Sequence, residues 1–219
     1  ISDHLKSEFE EIYENYTSNE EYKPDATQSA CRALRNRALS FLAYQDRALL
    51  AQIQATSAQN MTDQLSAFAT VIKHNPNGKH IKLFYDQWKH ERLVVDKWFS
   101  TQVLTAHPNS LNKVVKNLTN HSDFNITTPN RVRSVLGAFS ANTAGFHLET
   151  GENYKLFCDW ILKVDPVNPQ VGARMCSAFE TWKRYDPKRQ KLIESQINRV
   201  LGTGSVSKDT TEMLTRLIN

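Results

Sequence analysis

The chain has 219 residues, 40% hydrophobic and 23% charged, with a net charge of +4. That length and mix suit one large or two small soluble globular domains with a substantial core. Seven glycines and seven prolines are few for an all-β chain of many tight turns, and no apolar run nears the ~18 residues of a membrane span.

Charge is unevenly spread. Residues 1–22 carry seven acidic groups against Lys6 alone, which leaves the remainder near +10. The basic residues of that remainder are scattered among acids, so they read as solvated helix faces and not as a nucleic-acid surface. Cys31, Cys158 and Cys176 are odd in number and follow no metal or redox spacing, so a reduced, cytoplasmic setting is expected. The chain starts at Ile1-Ser2-Asp3 without an initiator Met, as expected of a piece of a longer protein.

In chain order, Ser2-Asp3 caps a first helix through about Asn15, with Leu5, Phe9, Ile12 and Tyr13 on one side. Thr17–Pro24 is a polar linker. Asp25 caps a long helix whose apolar residues fall at Ala30, Ala33, Leu34, Ala38, Phe41 and Leu42, the three-and-four spacing of a helix. Asp46 opens the next. Asn60 or Thr62 starts another, with Met61, Leu65, Phe68 and Ile72 as its stripe. His74–Gly78 is a turn. Ile81, Phe84, Trp88, Val95, Trp98 and Phe99 then mark one or two helices. After a break at His107-Pro108 come Leu111, Val114, Val115 and Leu118.

Later segments repeat the pattern. Thr128-Pro129 opens a helix through Phe139, and a short piece spans Ala141–Phe146. Tyr154, Phe157, Trp160 and Ile161 mark Glu152–Val164. Asn168-Pro169 opens a helix running into Phe179 and Trp182, and Asp186-Pro187 opens one through Leu201. Gly202–Ser207 is a turn, and Lys208–Ile218 is the last helix. The four tryptophans read as core. No stretch alternates with period two long enough for a strand. About a dozen helices joined by short turns predict an all-α fold, an irregular α-solenoid or HEAT-like superhelix of antiparallel helix pairs.

Chemistry-bearing motifs are sparse. His90-Glu91-Arg92-Leu93-Val94 approaches the His-Glu-x-x-His zinc motif, in which two histidines one turn apart grip the metal and the glutamate activates water. Val94 occupies the second histidine position, so no metal site is expected. His147 reads as a structural or capping histidine. Neither a glycine-rich phosphate loop nor a Gly-x-Ser-x-Gly elbow is present. The chain alone is therefore expected to be inactive and without a cofactor.

Arg131 and Arg133 lie about 200° apart around a helix, so they cannot share a face. A second Asn-Pro helix start precedes Arg174. The ordinary reading of both stretches is a pair of well-capped helices with solvated arginines.

Taken together, Pro129–Phe139, Phe146-His147, Asn168–Arg174 and Arg184-Tyr185-Asp186 resemble the C-terminal domain of the aminopeptidase N family, zinc aminopeptidases of the gluzincin type. Leu34–Leu39, Asn60–Asp63, Phe84-Tyr85, Trp88 and Asp96–Phe99 extend the resemblance in the right order from about residue 28 to the C-terminus. Residues 1–24, read above as an acidic helix and linker, then lead into the helical domain that the resemblance places at 25–219. The resemblance implies that zinc and the catalytic glutamate belong to an upstream catalytic domain of the same polypeptide. The helical domain would cap the active-site chamber and admit short peptides. By motif position, Arg133 and Arg174 match arginines that face this chamber, and Arg131 points away. Gly172, within the helix before Arg174, would loosen it by up to ~1 kcal/mol relative to alanine and leave the pose of Arg174 open. From another class, a HEAT-like module gripping a protein or nucleic acid is the alternative.

Overall fold

The computed structural model describes residues 4–17, 21–44 and 47–219, and the chain divides into two compact units, Ile1–His90 and Glu91–Asn219. The described residues contain helices and no strand. The expected caps at Ser2-Asp3 and Asp46 lie outside them.

The first unit holds α1 (Lys6–Asn15), α2 (Ala26–Leu42), α3 (Ala48–Ser57), α4 (Met61–His74) and α5 (His80–Trp88). Asp25 and Asn60 each adopt extended backbone, and their side chains accept from the N–H groups of Gln28 and Asp63. Each satisfies a donor that the first helical turn leaves unpaired. Leu39, Ala51, Ala55, Ala67 and Val71 form the apolar centre. Small alanines here let α3 and α4 approach closely. Phe68 stacks on Phe84 at 4.4 Å, and Phe9 of α1 on Phe41 of α2 at 4.7 Å.

A buried polar network locks the register of α2, α3 and α4. Asn36 donates to Asp63 Oδ1 (2.7 Å), Gln54 donates to Asn36 Oδ1 (2.7 Å), and Asn60 donates to Asp63 Oδ2 (2.9 Å). Such groups are costly to bury unpaired and, once paired, specify one arrangement of helices.

The second unit holds α6 (Arg92–Thr105), α7 (Leu111–Thr119), α8 (Pro129–Val132), α9 (Ala138–Ala141), α10 (Thr143–Phe146), α11 (Glu152–Val164), α12 (Pro169–Cys176), α13 (Pro187–Gly202) and α14 (Lys208–Ile218). Between α8 and α9 the chain does not break but winds as a π-helix over Arg133–Gly137. The long helix expected from Asn168 ends at Cys176, and short 3₁₀ turns at Ser177–Phe179 and Trp182–Arg184 follow. Phe139, Phe146, Phe157, Phe179 and Tyr154 are almost wholly buried and meet edge to face, with Phe146 5.2 Å from Phe157. Trp98 and Trp182 belong to the core as expected, whereas Trp88 and Trp160 are only half-buried.

Asp165, just past α11, organises the end of this unit. Its buried carboxylate accepts from Ser207 N (2.6 Å), Ser207 Oγ (2.7 Å) and Thr210 Oγ1, so it holds the start of α14. Gly172 of α12 passes directly over it. A Cβ at Gly172 would sit 2.8 Å from Asp165 Oδ1 and 2.9 Å from its Cα. Beside its cost in helix propensity, glycine is what lets α12 reach α11 here.

Candidate peptide-binding concavity

Pro129 begins α8 at the first-turn position, where a missing N–H is no loss. Thr128 precedes it in extended backbone but its side chain makes no capping bond, contrary to the sequence expectation. Two residues on, Arg131 is 8% exposed. Its Nε lies 3.0 Å from Asp96 Oδ1 of α6, and its guanidinium sits 4.7 Å from the centre of the Phe99 ring. Arg131 is thus a buried structural cation and not a solvated one. Asp96 and Phe99, one turn apart on α6, supply charge and ring to the same guanidinium.

Arg133 emerges on the opposite side, exposed, with its Nη1 donating to Asn130 Oδ1 at 3.3 Å. Arg174, in the last turn of α12, is also exposed. Both line one concavity of about 210 Å³. Val132, Phe157, Val171, Met175 and Ala178 give it apolar walls, and Gly137, Ser140 and Ser177 complete the lining. Among the described residues neither arginine is paired with a carboxylate: the ion pairs of this unit join Arg131 to Asp96, Lys188 and Arg189 to Glu149, Arg189 to Asp186, and Arg199 to Asp159. Two cations at the mouth of an apolar hollow suit a ligand with one anionic end and one apolar group.

The family resemblance named the two arginines, and nothing in the sequence reading pointed to the hollow. Phe157 marks a helical stripe in the sequence, and Val132, Phe157 and Val171 are all buried, so only the gap between their helices reveals the hollow. Gly137 carried the one available signal, a lone glycine inside a strong helical run.

His147 has a structural setting. Its Nδ1 is 2.9 Å from the Tyr154 hydroxyl, its ring stacks on Tyr185 at 4.0 Å, and Arg189 Nε donates to its carbonyl at 2.6 Å. Burial, then the Arg189 charge, lowers its pKa from 6.5 to about 4, while burial pushes the Tyr154 hydroxyl up to about 12. Because the folded value lies below the unfolded one, folding favours the neutral ring. This contribution is full above about pH 6.5 and is lost as pH falls towards 4. His74 and His80 are lowered as well and tilt the curve the same way, so the test is a difference. His147→Gln should flatten part of the fall in unfolding free energy between about pH 6.5 and pH 4, by an amount that solvent screening of the half-buried ring reduces. Identical slopes for the two proteins in urea titrations would refute the assignment.

Residues 1–219, the whole chain, match the family model described as "Domain of unknown function (DUF3458_C) ARM repeats". The chain belongs to this family. ARM repeats are stacked helical units, so the all-α helical-repeat class read from the sequence is the fold class of the DUF3458_C family. Aminopeptidase N of Escherichia coli is 35% identical over 225 residues and that of Caulobacter vibrioides 33% over 226, each match spanning all of this chain and 26% of the relative. A structure of Legionella pneumophila aminopeptidase A in complex with aspartic acid superposes with a TM-score of 0.91 at 28% identity, over 99% of this chain and 27% of that one. This DUF3458_C chain therefore spans about a quarter of the length of the curated relatives it matches and corresponds to their C-terminal part. No helix of the described residues is long and apolar enough to cross a membrane.

Proposed function

We propose that this chain is the C-terminal helical domain of a zinc-dependent aminopeptidase N. It covers the chamber of an upstream catalytic domain, limits entry to short peptides, and holds the distal end of the bound peptide with Arg133 and Arg174. One observation carries the reading: two arginines from separate helices, without carboxylate partners among the described residues, converge on one apolar concavity. A planar guanidinium is suited to a peptide's terminal carboxylate, which it can hold through two parallel hydrogen bonds. The matches to aminopeptidase N over the full chain support the parent's identity.

Zinc belongs, in this reading, to the upstream domain. Among the described residues no three His, Cys, Asp or Glu side chains are grouped as a metal would require. What this chain supplies is binding and orientation of the peptide and exclusion of larger substrates. Residues 1–24 lead into the domain. The free thiols of Cys31, Cys158 and Cys176 support a reducing, cytoplasmic setting; burial pushes the last two up to about 12, so they stay protonated and unreactive.

The reading is tested in the coding region upstream of Ile1. It requires a His-Glu-x-x-His helix there, and a full-length enzyme that loses peptide turnover to a chelator and regains it with zinc. An upstream region without that motif would overturn it.

A further inference from the structure

Gly137 has no structural reason to be glycine. Its backbone is right-handed helical, with φ −65° and ψ −42°, a conformation open to every L-residue. A Cβ built on it meets nothing nearer than Arg133 Cβ at 3.8 Å, which is ordinary contact. Glycine also weakens a helix interior relative to alanine. It closes the π-helical segment that starts at Arg133, so the two residues stand on neighbouring turns beside the same hollow. What the absent side chain leaves is volume.

We propose that Gly137 keeps open a side-chain subsite, walled by Val132, Phe157, Val171 and Met175, that takes the apolar side chain of the peptide's carboxy-terminal residue. The inference rests on the proposed function, and it adds a substrate preference to it. Charge complementarity sets the occupant's direction: the peptide carboxylate lies with Arg133 and Arg174 at the mouth, and the side chain next to that carboxylate enters the hollow. Size sets the class. A dry apolar cavity of ~150 Å³ accepts benzene, so about 210 Å³ accommodates a leucine or phenylalanine side chain. A lysine side chain would be desolvated against Phe157 and Val171 beside the like charges of Arg133 and Arg174, which disfavours it.

The test uses full-length enzyme and the tripeptides Ala-Ala-Gly, Ala-Ala-Leu, Ala-Ala-Phe and Ala-Ala-Lys. Wild type is expected to favour the Leu and Phe peptides over the Gly peptide in kcat/KM by about 10-fold or more, with the Lys peptide no better than Gly. Gly137→Leu fills the hollow from a position with room for the new side chain, so the Leu-to-Gly ratio should fall towards one; Gly137→Ala should fall between. A preference that survives Gly137→Leu, or a wild type with no preference, overturns the subsite. Arg133→Ala on Ala-Ala-Gly separates the two ideas, because that peptide has a carboxylate but no side chain to seat. Loss there with no Leu preference leaves the arginine reading standing and removes the subsite; no loss on any peptide removes both.

Discussion

Replacing Arg133 or Arg174 with alanine in the full-length enzyme is expected to lower kcat/KM on tripeptides about 10- to 150-fold. Each guanidinium would hold the peptide end through charge-assisted hydrogen bonds worth roughly 1.5–3 kcal/mol, and ~1.4 kcal/mol is a decade in rate. If the binding is equal in ground and transition states, the loss appears mainly in KM. Single-residue anilides do not reach the distal end, so they should lose little. Arg216, exposed on α14, serves as the control in its alanine form. Equal losses on anilides and tripeptides would mean that the substitutions disturb the domain and not a peptide contact. No loss on either would return both residues to the role of solvated helix arginines.

The second large effect is on stability. Arg131→Ala removes a cation that is 8% exposed and leaves Asp96 without its partner. Breaking a buried pair from one side costs more than the pair itself contributes, because the surviving charge stays desolvated. A loss of about 3 kcal/mol is expected, read as a fall in urea midpoint and in Tm of the purified chain. The double replacement of Arg131→Met with Asp96→Leu should recover most of it, since no charge is then left buried. A single variant that unfolds like wild type would show that solvent already screens Asp96. This also disqualifies Arg131→Ala as a control for Arg133, a use its position on the opposite face would otherwise suggest.

These two arginines, two residues apart, show where sequence reasoning stops. Helical geometry separates their faces correctly, because the angle between neighbours is a local property. Which face meets solvent is not local. It depends on α6 bringing Asp96 and Phe99 against α8, and only one side of the helix receives them. The long-range choice turned the residue read as pointing away into the buried one.

By itself the sequence determined the helices, and most of their ends, because capping and hydrophobic spacing act over three or four residues. Asp25, Asn60, Asn168 and Asp186 cap as their positions implied, each accepting from an N–H within the next turn. Its pattern alone left Arg133 and Arg174 as solvated arginines, and only the family resemblance pointed to them. The tertiary structure alone decided that these two share a hollow, that Phe157 and Val171 wall it, and that Gly172 is needed against Asp165 while Gly137 is free to change. The reason is that a cavity or a close approach is a distance between helices. Such distances follow from how whole side-chain surfaces pack, and no local pattern of residues encodes them.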